Sequence, residues 1–125
     1  MPIVELTSEN FDQVIQENDF VIVDFWAQWC GPCKSFAPVF EKSAEDHPDI
    51  VFAKVDTESQ TDLASHFQIR SIPLLMVFRE QVIIGKVEGA LSPGDFESLI
   101  EKAGMIDMEQ VHQEMSQQQE TDKKS

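Results

Sequence analysis

Phe20-Val21-Ile22-Val23-Asp24-Phe25-Trp26 is a continuous apolar run interrupted only by Asp24. A run of this kind suits a strand covered on both faces. Ile50 to Asp56 has the same character. Between them a helical pattern extends from Cys30 to about Asp46, with Pro38 inside it. Proline removes a backbone donor, so a kink is expected there. Strand, helix and strand make a βαβ unit, which is normally right-handed and parallel. Upstream, Val4 to Leu6 reads as a short strand, and Ser8 is the expected cap of a helix with Phe11, Val14 and Ile15 on one face. Downstream, Asp62 to Phe67 reads as a short helix. Leu74–Phe78 and Val82–Val87 flank Arg79-Glu80-Gln81 as a hairpin. Ser92-Pro93-Gly94-Asp95 supplies a cap, a proline at the first helical position and an early acid; this helix is expected to reach Ala103, with Gly104 ending it. The pattern predicts an α/β fold, a central mixed sheet with helices on both faces.

The pattern changes after Gly104. Residues 1–104 read as one domain and 105–125 as a C-terminal extension. Met105, Met108, Val111 and Met115 fall three to four apart, as one helical stripe. Such a stripe is either a short helix docked on its own domain or an adaptable surface for a partner. Beyond about Gln117 the glutamine-rich, charged composition predicts disorder.

Charge excludes some function classes. The 125 residues carry 9 Lys and Arg against 23 Asp and Glu, a net −14. Nucleic-acid phosphates demand clustered basic residues, so nucleic acid is not an expected partner. Acidity serves solubility or steers the chain toward basic partners. No apolar run is long enough to span a bilayer, so no membrane partner is expected. Met1-Pro2-Ile3-Val4-Glu5 lacks the basic and apolar stretches of a secretory leader. A reducing, cytoplasmic compartment is therefore expected.

The only two cysteines stand in Trp29-Cys30-Gly31-Pro32-Cys33-Lys34, at the start of the expected helix. Thiolate is the reactive form of cysteine, and a helix N-terminus favours negative charge. Cys30 is thus the candidate nucleophile. Cys33, one turn in and expected to be shielded, is the candidate resolving thiol. Metal binding is the rival use of the pair. Structural zinc takes four ligands, and His47, His66 and His112 show no ligand spacing. No metal is expected. Asp24 has two readings: a structural carboxyl bonded to backbone donors, or a proton acceptor whose pKa burial raises.

These residues resemble the thioredoxin family over about 3–104. The resemblance is carried by Val23-Asp24-Phe25-Trp26-Ala27, the cysteine hexapeptide, Ala53-Lys54-Val55-Asp56, Ile69-Arg70-Ser71-Ile72-Pro73 and Gly89-Ala90-Leu91-Ser92. It implies a thioredoxin-like fold and a thiol–disulfide oxidoreductase that reduces protein disulfides. It implies Asp24 and Lys54 as catalytic beside Cys30 and Cys33. It implies a cis Ile72–Pro73 bond facing the sulfurs, and a docking groove formed by Trp29, Gly31, Pro32, Ile72, Pro73 and Gly89. Trp26 is read as core. The Gly31-Pro32 pair resembles the reducing members rather than the oxidants and isomerases. No dinucleotide fingerprint is present, so no cofactor is expected. The electrons then come from a partner, by resemblance an NADPH-dependent, flavin-containing thioredoxin reductase. Three positions depart from the family pattern. Ser71 replaces a glycine-like residue, Leu74 replaces the usual threonine, and Gln81 replaces a hairpin glycine. The first two flank the substrate loop and bear on partner preference. The alternative function is a thioredoxin-like binding module or chaperone subunit that uses its extension for one partner.

Overall fold

The computed structural model describes the backbone of residues 3–124 and the side chains of residues 3–117. Along this chain run β1 (Ile3–Glu5), α1 (Phe11–Glu17), β2 (Phe20–Trp26), α2 (Gly31–Asp46), β3 (Val51–Asp56), α3 (Thr61–His66), β4 (Leu74–Arg79), β5 (Val82–Glu88), α4 (Pro93–Met105) and α5 (Met108–Lys124). The strands form one sheet in the order β1-β3-β2-β4-β5. β3 runs parallel to both β1 and β2, while β4 is antiparallel to β2 and to β5. The expected mixed sheet, α/β class and parallel β2-α2-β3 unit are all present.

Alternation along β2 divides the core. Val21, Val23 and Phe25 pack with Phe11 and Ile15 of α1 and Leu63 of α3. Ile22 packs with Phe36 and Phe40 of α2 and Phe96 and Ile100 of α4. On this second side Phe36, Phe40, Phe52 and Phe96 meet ring to ring, with centroids 5.2 to 6.2 Å apart. Each such contact contributes about 0.5–1.5 kcal/mol beyond area burial. Asp24 follows Ile22 by two positions and shares this side. Lys54, its register partner on β3, follows Phe52 by two and shares it as well.

Several local features differ from expectation. Ser8 does not cap α1; Asn10 is the N-cap residue. Thr7 and Asn10 fold on each other instead, with Asn10 Oδ1 accepting from Thr7 N at 2.7 Å and Phe11 N donating to Thr7 O at 3.0 Å. Ser8 N is engaged by Gln60 Oε1. α2 remains one helix through Pro38. The hairpin turn is Glu80-Gln81 alone, with φ of 49° and 68°. Two left-handed residues match the twist of a two-residue hairpin, which leaves Arg79 free to end β4. α4 continues past Gly104 to Met105. Gly104 stays helical because Arg79 Nη1 donates to the carbonyls of Ala103, at 2.8 Å, and Gly104, at 3.3 Å. That guanidinium also lies 5.3 Å from the Phe20 ring centre.

The methionine stripe is split by the same junction. Met105 belongs to α4 and is 77% exposed, whereas Met108 opens α5 and is buried. Ile106, extended, separates the two helices. His112 Nε2 lies 3.4 Å from Glu80 Oε1, which sets α5 against the β4-β5 turn. α5 is longer than the short helix expected. Beyond Gln117, where composition predicts disorder, the backbone continues in α5 to Lys124.

Candidate active site

β2 ends at Trp26, and from the buried Ala27 the chain passes through an exposed turn at Gln28-Trp29 to the buried Cys30. Cys30 is the N-cap residue of α2, and Pro32 lies in the first turn, where a missing N–H costs nothing. Cys30 Sγ accepts a hydrogen bond from Cys33 N at 3.2 Å. The sulfur therefore occupies the place where a capping oxygen normally sits, facing the positive end of the helix. Cys30 and Cys33 are joined as a disulfide. Both are buried, at 4% and 3% exposure, so Cys33 is no more shielded than Cys30 in this oxidised state. What separates them is position, since Cys30 caps the helix and Cys33 lies within it.

The Ile72–Pro73 bond is cis, and the Ile72 carbonyl oxygen lies 3.8 Å from Cys30 Sγ. Gly89 N donates to Pro73 O at 2.8 Å. Gly89 has φ of 93°, a conformation that L side chains rarely adopt, so glycine is required there. Gly31 carries no such requirement; a Cβ there would meet open space. Trp29 is 69% exposed, and its indole N–H donates to Glu58. Gln28, Trp29, Asp56, Glu58 and Ser59 line a shallow depression. Sequence reasoning missed Glu58. No spacing rule links residues so far apart, and only the fold brings the β3-α3 loop beside the cysteine turn.

Asp24 is 1% exposed, and neither carboxyl oxygen has a hydrogen-bond partner among the described residues. The structural reading, a carboxyl bonded to backbone donors, therefore fails. Burial pushes this carboxyl up to about 7, against a smaller lowering by the Lys54 charge. Trp26 packs against Ala27, Cys30 and Cys33, together with Ile72. Of the predicted site residues, the structure thus gathers Cys30, Cys33 and Ile72 in one cluster, and adds to them Trp26, which the sequence reads as core. Asp24 and Lys54 stand beneath it on the side that α2 covers.

The sequence matches the family model described as Thioredoxin over residues 2–102. The chain belongs to the thioredoxin family. A Streptomyces coelicolor protein provisionally named thioredoxin 2 is 53% identical, over 93% of this chain and 87% of that protein. The thioredoxin of Coprinus comatus is 37% identical, over 76% of this chain and 91% of its own. Among solved structures, a mutant thioredoxin of Halobacterium salinarum superposes with a TM-score of 0.77 at 32% identity, covering 84% of this chain and 93% of the other. This member of the family is thus a thiol–disulfide oxidoreductase with a redox-active cysteine pair, as its Trp-Cys-Gly-Pro-Cys sequence implied. Disulfide substrates and recycling by a reductase follow for the family in general. Among the described residues, no helix is long and apolar enough to cross a membrane.

Proposed function

We propose that this thioredoxin is a general reductant of protein disulfides in the cytoplasm, returned to its dithiol form by an NADPH-dependent thioredoxin reductase. The Cys30–Cys33 disulfide at the N-terminus of α2 is the observation that carries this reading. Cys30 thiolate attacks one sulfur of the substrate disulfide; that S–S bond breaks and the other substrate sulfur leaves as thiolate. Cys33 then gives its proton to Asp24 and attacks Cys30 Sγ. The second substrate sulfur leaves and the Cys30–Cys33 bond forms. Two electrons have passed to the substrate, and the reductase restores them.

Thiolate acidity gives only part of the rate. A lower pKa exposes more thiolate but also weakens it as a nucleophile. Docking must supply the rest. Trp29, Gly31, Pro32, Ile72, Pro73 and Gly89 form the docking surface in this reading, and the Ile72 backbone pairs with an extended substrate as an added strand does. Lys54 tunes Asp24. Ser71 and Leu74 beside Pro73 adjust which partners dock.

A second reading is favoured by α5, which lies beyond the matched residues 2–102, and by Met115 on it, 40% exposed. In that reading residues 105–125 engage one specific partner. Insulin reduction coupled to NADPH and a thioredoxin reductase separates the two. The full chain is expected to turn over, and deletion of residues 106–125 to keep activity within about twofold. The deletion should lower the melting temperature by several degrees, because the buried Met108 contributes roughly 2 kcal/mol. A folded but inert full chain would support the binding module.

A further inference from the structure

Lys54 is the charged neighbour of Asp24, yet the two do not pair. Among the described residues the Lys54 ammonium makes no hydrogen bond or salt bridge. It lies instead 5.4 Å from the Trp26 ring centre and 6.0 Å from that of Phe40. Both distances fall near the range in which an aromatic face attracts a cation. Phe40 is fully buried on α2, two turns beyond Cys33. The other elements around Asp24 offer no rival cation. Its partner on β4 is Leu75. Lys34, Glu41 and Lys42 of α2 point to solvent.

We propose that Phe40 is a positioning residue of the proton-transfer site: with Trp26 it forms an aromatic seat that keeps the Lys54 ammonium beside the Asp24 carboxyl without contact. A salt bridge would hold Asp24 as a permanent carboxylate, too weak a base to take the Cys33 proton at the disulfide-forming step. An ammonium lost to solvent would leave the buried carboxyl protonated and unable to accept one. The seat holds the cation between these limits. Its chemical significance rests on the proton-acceptor role proposed for Asp24, whereas the seat itself is a matter of geometry.

The test is a carbon-13 titration of the Asp24 carboxyl in the full-length oxidised protein, which involves no turnover. Phe40→Leu keeps an apolar side chain of similar reach but removes the aromatic face, and Phe40→Met repeats the change with a different shape. In both, the Asp24 midpoint is expected to rise by about half a pH unit, because the ammonium turns outward. In a Lys54→Met background the same substitutions should leave the midpoint unchanged. An unmoved or lowered midpoint, or an equal shift in both backgrounds, would overturn the inference. If the midpoint moves as expected while Asp24→Asn resolves mixed disulfides at the parent rate, the seat stands and the proton-acceptor role of Asp24 fails.

Discussion

Mixed disulfides with partner proteins are expected to accumulate in the Cys33→Ser variant and to be almost absent in Cys30→Ser. The asymmetry follows from position. Cys30 Sγ caps α2, facing its N-terminal dipole and the Ile72 carbonyl. Cys33 lies inside the helix, joined to Cys30, and in the proposed mechanism it acts only on that sulfur. With serine at 33 the first exchange proceeds and the second cannot, so the intermediate persists. With serine at 30 the attacking atom is gone. Both variants should lose reductase turnover to background. Non-reducing electrophoresis after alkylation reads the outcome, and equal trapping by the two variants would refute the assignment of roles.

The second large effect concerns Asp24 and has a definite sign. In the unfolded chain this carboxyl titrates near its ordinary value, about 3.9. In the folded protein burial raises it to about 7. Between those values the native state binds more protons than the unfolded state, so stability falls as pH rises. The penalty is small below pH 4 and complete above pH 7, where it reaches a few kcal/mol. Asp24→Asn removes the buried charge. Its melting temperature is therefore expected to match the parent near pH 4 and to exceed it by on the order of 10 °C at pH 8. A difference constant across that range would show that folding does not raise the Asp24 pKa. In stopped-flow fluorescence the same variant should release the mixed disulfide more slowly near neutral pH, as the proton-acceptor role proposed for Asp24 requires.

Much of this architecture is legible in the chain because it is written in local period. The apolar run Phe20–Trp26 coincides with β2, and its single interruption, Asp24, marks the buried carboxyl. The cysteine hexapeptide marks the start of α2. Where the reading fails, a side chain from elsewhere decides the outcome. Gly104 looks like a terminator, but Arg79 arrives from β4 to satisfy its carbonyl. Ser8 looks like a cap, but Gln60 takes its backbone N–H and Asn10 becomes the cap residue. The Glu58 contact to Trp29 and the approach of Phe40 to Lys54 are likewise tertiary, with no sequence signature. The stripe from Met105 to Met115 reads as one face only if a single helix contains it, and Ile106 breaks that continuity.

Equilibration with glutathione buffers of known potential, quenched by alkylation and counted by mass, tests the central claim most directly. Cys30 and Cys33 should change state together, in one two-electron transition in which the ratio shifts tenfold per about 30 mV. The midpoint should lie near −270 mV, for which thioredoxin itself is the reference. Independent titration of the two cysteines, or a midpoint near the roughly −120 mV of a strong oxidant, would contradict a disulfide reductant.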